Sequence, residues 1–244
     1  MSGTYASLAL AERPVGDIVP GRTFVKKTKP IPTEKDLKQG QILVETLYIG
    51  LEPAMRGWLA GKHSLHKSRA ATDMPDRRSY IKPVQIGETM RSANVCRVVA
   101  SKSRQARAGD IVLAVAGWAE FAVLDEGRFD PPSTMPKTTH PTDYLSALGV
   151  TSLTAYFGMT KIGLPKAGEL VVVSGAAGAT GSVAGQIAKL HGAKVVGIAG
   201  SDDKCAWLKD IGFDEALNYK DPEFKAKFRN ATRQLIDVFW DNGR

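Results

Sequence analysis

The stretch ELVVVSGAAGATGSVAGQIAKLHGAKVVGIAGSDDKCAWLKDIG, residues 169–212, decides the fold of this chain. Val171, Val172 and Val173 form a β-branched run too short for a helix and closed by Ser174 and Gly175, which predicts a strand buried on both faces. Ala176, Gly178 and Gly181 then occupy the three small-residue positions of a G-x-G-x-x-G turn, with Ala in place of the first Gly. SVAGQIAKLHGA reads as a helix and KVVGIAG as a second strand, so the order is strand, glycine turn, helix, strand. That is the front half of a dinucleotide-binding βαβ unit: Gly178 lets backbone approach a pyrophosphate, Gly181 lets helix pack on strand, and the free N–H groups at the helix start favour an anion. A glycine-rich turn of this kind also arises from tight helix packing alone; its place between strand and helix favours the nucleotide reading.

The end of the second strand discriminates between cofactors. An NAD site usually carries Asp or Glu there for the ribose 2′-OH, whereas Lys194–Ile198 is followed by Ala199, Gly200 and Ser201. Small residues leave room for a 2′-phosphate, to which Ser201 can donate and which Lys204, one turn into the next helix, can neutralise. The alternative is that Ser201 only caps that helix and Lys204 is solvated. Asp202 and Asp203 suit the first helical turn, where the dipole favours carboxylates.

With these residues on the page, the chain resembles the medium-chain dehydrogenase/reductases, specifically the zinc-free branch of prostaglandin reductases, alkenal/one double-bond reductases and curcumin-type reductases. The resemblance runs through nearly the whole sequence, strongest in LEPAMRGWL (51–59), GDIVLAVAGWAEFAV (109–123), GVTSLTAYFG (149–158), residues 174–204, GFDEALNYK (212–220) and DVFWDN (237–242). It implies NADPH as cofactor, with Gly178, Ala179, Thr180 and Gly181 along the pyrophosphate, Lys204 and Tyr219 flanking the 2′-phosphate, Asn242 approaching from the next strand end and Thr154 near the nicotinamide. It also implies hydride transfer to the β-carbon of an α,β-unsaturated aldehyde or ketone, protonation at the α-carbon, and a homodimer in full-length relatives. Glu52 stands where the family more often has Asp, and Val150-Thr151-Ser152 departs from its usual pattern; both touch the pocket side and loosen the substrate expectation. The family continues well beyond DVFWDN, whereas this sequence ends at Asp241-Asn242-Gly243-Arg244, so a C-terminally truncated product is expected. The family's proton-relay or enolate-stabilising tyrosine lies in that further part and has no counterpart here.

The implied chemistry needs donors at a developing enolate oxygen. Tyr48, beside the LEPAMR segment, is the candidate catalytic residue; the competing expectation is an aromatic side chain packed into the core. Arg56 either orients a substrate carbonyl or pairs with Glu52 one helical turn away, and Trp58 is expected in core or pocket wall. A quinone reductase of the same superfamily would use the same groove with a different pocket, and a cofactor-binding chain without turnover is the reading from a different class.

The 244 residues, 43% hydrophobic and 24% charged, suit one large soluble domain or two small ones. Short β-type runs from Gly40 to Val123, separated by Gly, Pro and charge clusters, predict a compact antiparallel barrel-like domain, which the resemblance makes a GroES-like β-barrel over residues 1–143; residues 144–244 should form an incomplete doubly wound (Rossmann) parallel sheet, giving an α/β chain. Residues 60–83 read as a substrate-side loop, and 130–143, rich in Pro and Thr, as a linker followed by the helical stretch DYLSALGVTSLTAYFGMTKIG that starts the second domain. The helices CAWLKDIG and PEFKAKFRNATR, the latter with Pro222 in its first turn, and the strands EALNYK and LIDVFW extend the parallel sheet in the order 3-2-1-4, with LIDVFW an apolar edge prone to association. Cys96 and Cys205 stand far apart, and among the four histidines only His63 and His66 are close, beside lysines on a basic loop, so no metal site is expected and a reducing compartment is. No leader-like or membrane-spanning run is present, which points to the cytoplasm. The formal charge of +8 is dispersed without a nucleic-acid-binding motif, so no specific nucleic-acid partner is expected.

Overall fold

In the computed structural model, which describes residues 3–59 and 82–242, the chain forms two units, Met1–Leu145 and Ser146–Arg244. The segment anticipated as a substrate-side loop, with His63 and His66, lies outside the described residues for all but its last two positions.

The N-terminal unit holds an antiparallel hairpin of β1 (Thr4–Leu10) and β2 (Phe24–Pro30). Its main sheet is wholly antiparallel and combines β3 (Gln41–Ile49), β4 (Asn94–Ser101), β5 (Ile111–Ala114), β6 (Phe121–Asp125) and β7 (Phe129–Asp130) in the order β6-β3-β4-β5-β7. Alternate residues of these strands, among them Ile42, Val44, Cys96, Val98, Val112 and Leu124, bury one apolar face. A second cluster of Leu10, Phe24, Met55, Leu59, Val84 and Met90, with Trp58 and Trp118 against it, joins the hairpin to α1 (Met55–Trp58). This is the expected antiparallel domain.

In the C-terminal unit, β8 (Leu170–Val173) is buried at every position, as a strand covered on both faces requires. It pairs in parallel with β9 (Lys194–Ala199) on one side and β11 (Val238–Trp240) on the other, and β10 (Glu215–Asn218) adds to β9. The order β10-β9-β8-β11 is the anticipated 3-2-1-4. One face packs against α2 (Val150–Phe157), α3 (Ala179–Leu190) and α4 (Asp202–Asp210) through Ala155, Ala184, Ala188 and Leu208. The other takes Phe224 and Phe228 of α5 (Phe224–Ala231) against Leu170, Val172, Val196 and Leu217. Helices on both faces of a parallel sheet make this a doubly wound unit.

Three local expectations change. The helix expected after residue 143 is broken: a 3-10 turn spans Pro141–Leu145, α2 starts only after Gly149, and a π-helix at Gly158–Gly163 ends at Leu164 in the left-handed region. Gly158 permits this by close approach, since a Cβ there would stand 2.2 Å from the Trp240 ring. Pro222 lies ahead of Glu223, the N-cap of α5, rather than inside its first turn. The last strand is shorter than LIDVFW, because the Asp237 carboxylate accepts the Leu170 N–H at 2.8 Å and regular pairing begins only at Val238, leaving Leu235 exposed. It is nevertheless a sheet edge.

Candidate functional site

The turn between β8 and α3 is built around Gly175, expected only to close the strand. The left-handed backbone sits at Gly175, with φ of +54°, and not at Ala176, which is fully buried and donates its N–H to the Ile198 carbonyl. Gly178 N–H donates to the Gly175 carbonyl at 2.9 Å, closing the turn. Gly178 is the N-cap of α3 and offers no side chain, and the first intrahelical bond runs from Ser182 N–H to the Gly178 carbonyl. The N–H groups of Ala179, Thr180 and Gly181 therefore precede any helical acceptor and point out of the helix start, where the dipole favours an anion. Gly181 has no room for a side chain: a Cβ would stand 2.6 Å from the Gly175 carbonyl oxygen and 3.0 Å from Asn242 Nδ2. The signal for Gly175 was present in the sequence as the first of four small residues; only the backbone shows which of them makes the turn.

Asn242 is fixed at the mouth of this turn. Its backbone N–H donates to Ser174 Oγ at 2.9 Å and its Nδ2 to the Ser174 carbonyl at 3.2 Å, while Ser174 Oγ donates to Asp241 Oδ1 at 2.7 Å. The end of β11 is thus tied to the end of β8, which brings Asn242 beside Gly175 and Gly181.

A second group gathers at the end of β9. Ser201 is the N-cap of α4 and accepts the Lys204 N–H at 3.4 Å, so the capping role is real; the hydroxyl proton is not consumed by it. The Tyr219 hydroxyl lies against the Gly200 backbone, where a Cβ would meet it at 3.0 Å. Lys220 places Nζ 5.9 Å from the Tyr219 ring centre, and Lys204, in the first turn of α4, is exposed. Asp202 is drawn to β10 by a hydrogen bond from Asn218 Nδ2 at 2.9 Å. A phenol against the side-chain-free Gly200, the Ser201 hydroxyl next to it in sequence and lysines at 204 and 220 suit a phosphate monoester better than a bare ribose diol.

Thr154 lies on the exposed side of α2 with its hydroxyl donating to its own helix at the Val150 carbonyl, 2.8 Å away; the next residue, Ala155, is buried in the cluster that also holds Ala176 and Ala184. Tyr48 is on β3 of the other unit. A register shift between Thr46 and Tyr48 turns it out of the core, and it is 47% exposed, so the packed alternative does not hold. The pairing expected between Arg56 and Glu52 is absent. Glu52 precedes α1, and the Arg56 guanidinium instead donates to the carbonyls of Gly16 at 2.8 Å and Pro14 at 3.3 Å. Trp58 packs against the cluster around Met55 and Leu59 with the Arg91 guanidinium 5.8 Å over its ring. A cavity of about 220 Å³ beside it is lined by Phe24, Met55, Leu59, Met90 and Trp118, with Glu52 and Arg56 among its polar residues.

Cys96 and Cys205 are buried and unpaired with each other. Burial pushes the Cys96 thiol up to about 11, against a lowering contact with the Thr46 hydroxyl. Among the described residues no three His, Cys, Asp or Glu side chains cluster in a way that could hold a metal ion, and no helix is long and apolar enough to cross a membrane.

Comparison with known proteins places this geometry. Residues 7–131 match the family described as the N-terminal domain of oxidoreductase, and residues 179–243 the family described as zinc-binding dehydrogenase. The provisionally named NADP-dependent oxidoreductase YfmJ of Bacillus subtilis is 41% identical over 99% of this chain and 66% of its own length. Prostaglandin reductase 1 of Bos taurus is 38% identical over 90% of this chain and 60% of its own. The crystal structure of CurA from Vibrio vulnificus in complex with NADPH superposes with a TM-score of 0.84 at 36% identity, covering 98% of this chain and 65% of that one. The chain therefore spans between three fifths and two thirds of the length of these relatives. Both halves of the sequence match oxidoreductase families and both units have the corresponding folds, so the chain belongs to the medium-chain dehydrogenase/reductase family, in the branch of the prostaglandin reductases.

Proposed function

We propose that this chain binds NADPH and serves reduction of the carbon–carbon double bond of α,β-unsaturated aldehydes and ketones. The observation that carries the reading is the pairing of two features one strand apart: the open N–H groups of Ala179, Thr180 and Gly181 at the start of α3, and, at the end of β9, Tyr219 against Gly200 with Lys220 over its ring and Ser201 capping the helix that bears Lys204. The first fits a pyrophosphate and the second a 2′-phosphate, and no carboxylate occupies the tip of β9 to select a free 2′-OH. Bound there, NADPH supplies a hydride for the β-carbon of the substrate.

This chain's own contribution is placement and electrostatics. The N–H groups of α3 and the two lysines neutralise the phosphates; Asn242, held by Ser174, borders the cofactor groove; Thr154 is the residue assigned to the nicotinamide side. Hydride delivery to the β-carbon places negative charge on the carbonyl oxygen, and a hydroxyl donor within hydrogen-bond reach lowers that barrier. The exposed Tyr48 hydroxyl is the donor we assign to this chain.

The test is NADPH consumption by the purified protein with a panel of enals, enones and quinones, alongside NADPH and NADH binding by wild type and Lys204→Ala. Turnover on enones, with the variant weakened about tenfold or more for NADPH and little for NADH, is the expected result. Turnover confined to quinones would move the reading to the quinone reductases, and equal binding of both cofactors by wild type would remove the 2′-phosphate assignment.

A further inference from the structure

We propose that Arg13 is a positioning residue for the apolar cavity of the N-terminal unit, acting as one half of a reciprocal arginine clasp. Arg13 follows β1, and its guanidinium reaches across two long sequence separations: Nη1 donates to the Leu59 carbonyl at 2.9 Å and Nη2 to the Val84 carbonyl at 3.0 Å. Arg56 reaches the opposite way, from α1 to the carbonyls of Pro14 and Gly16. The segment after β1 therefore holds the C-terminal side of α1, and α1 holds the segment after β1. Val84 N–H donates to the Trp58 carbonyl at 2.9 Å, so the two strands of chain that Arg13 bridges are also in direct contact.

These ties matter because the side chains attached to them make the cavity. Leu59 is 1% exposed and forms part of its wall, Ile18 comes from the segment Arg56 holds, and Met55 and Arg56 come from α1 itself. Neither Leu59 nor Ile18 belongs to a sheet, so no ladder of strand hydrogen bonds fixes where that part of the wall stands. The planar guanidinium does so, because its forked donors reach two carbonyls at once. A lysine, with one compact ammonium on a flexible stem, does not reproduce that fork. Arg13 does not itself line the cavity; it acts through the backbone of Leu59 and Val84.

The choice of ligand rests on the reductase reading, whereas the clasp rests on geometry alone, and the experiment separates them. Binding of benzylideneacetone, a small apolar enone, is followed by tryptophan fluorescence, since Trp118 lines the cavity, for wild type, Arg13→Ala and Arg13→Lys. NADPH dissociation constants and hydrogen exchange of the Val84 amide are measured on the same samples. The expected result is enone affinity lower by about tenfold or more in Arg13→Ala, an intermediate loss in Arg13→Lys, unchanged NADPH affinity in both, and faster Val84 exchange. Unchanged enone affinity in both variants would overturn the proposal, as would loss of NADPH affinity in step with enone affinity in Arg13→Lys, which marks a merely structural role. Should Arg13→Ala fail to fold, Arg13→Lys decides by the same readings. Should wild type bind no enone, the ligand class fails with the reductase reading, and unchanged Val84 exchange in the lysine variant would then overturn the clasp.

Discussion

Gly185→Ala sets two well-measured effects against each other. Gly185 lies in the middle of α3, where alanine should stabilise the helix by about 0.8–1.0 kcal/mol. Its Cβ, however, would stand 2.0 Å from Phe213 Cζ and 2.6 and 2.7 Å from the two Cε atoms. Carbon atoms pack at roughly 3.5–4.0 Å, so the overlap is about 1.5 Å and falls on the tip of the ring. The ring has nowhere to retreat. Phe213 is 4% exposed, its Cδ1 also abuts Gly197, where a Cβ would meet it at 2.9 Å, and its backbone N–H is fixed to the Leu208 carbonyl at 3.1 Å. Overpacking of this kind costs typically about 1–3 kcal/mol, and this contact belongs at or above the upper end. Subtracting the helix gain leaves a net loss of about 2 kcal/mol or more. At roughly 4–8 °C per kcal/mol for a unit of about 100 residues, thermal melting by circular dichroism should fall by about 8–16 °C. The decisive control is Phe213→Leu: in that background the same alanine should cost far less, with a coupling of about 1 kcal/mol or more between the two sites. A Gly185→Ala protein that melts at or above the wild-type temperature would refute the packing argument, because propensity alone would then account for the result.

Gly181→Ala should act on function instead. Its Cβ would press on the Gly175 carbonyl oxygen and the Ala176 Cα, so the turn must shift, and NADPH affinity measured by fluorescence should fall about tenfold or more with the far-ultraviolet spectrum unchanged. Cys96, with its thiol held near 11, should present about one thiolate in a thousand at pH 8 and resist iodoacetamide until the chain is unfolded in urea. Asp214 tests pH dependence: burial raises its pKa, but hydrogen bonds from Lys189 and the Val195 N–H outweigh that and hold the carboxyl below its ordinary value. A depressed folded pKa means a contribution fully present above the unfolded value of about 3.9 and lost as pH falls through the folded one. Because the Lys189 pair is partly exposed, Asp214→Asn should cost no more than about 1 kcal/mol at pH 7, and urea titrations should show the difference from wild type shrinking below pH 4.

Much of the nucleotide unit was legible in advance because its signals are local. A triple valine can be satisfied only by burial on both faces, a run of small residues between strand and helix admits few backbones, and the connection rules for parallel strands leave the order 3-2-1-4 as the natural outcome. What the sequence could not resolve was which of several small residues bears the turn. Ala176 was credited with a position that Gly175 fills, since glycine spacing is the same for either and only φ tells them apart.

The N-terminal unit shows the opposite balance. Its strands were readable from alternation, but the fate of individual side chains was not. Tyr48 depended on a bulge two residues away, which no pattern of apolar residues announces. Arg56 lay within helical reach of Glu52 in sequence, yet α1 begins only at Met55 and the guanidinium found free carbonyls at Pro14 and Gly16. Arg13 bridges residues 46 and 71 positions away. Sequence alone determined the elements, their periodicity and the chemistry available at the phosphate turn, because those follow from propensity and spacing along a few neighbouring residues. The tertiary structure alone decided which carbonyls the arginines clasp, where Phe213 is wedged and how Asn242 reaches the turn, because each is a contact between distant segments whose cost or gain exists only once the chain has folded.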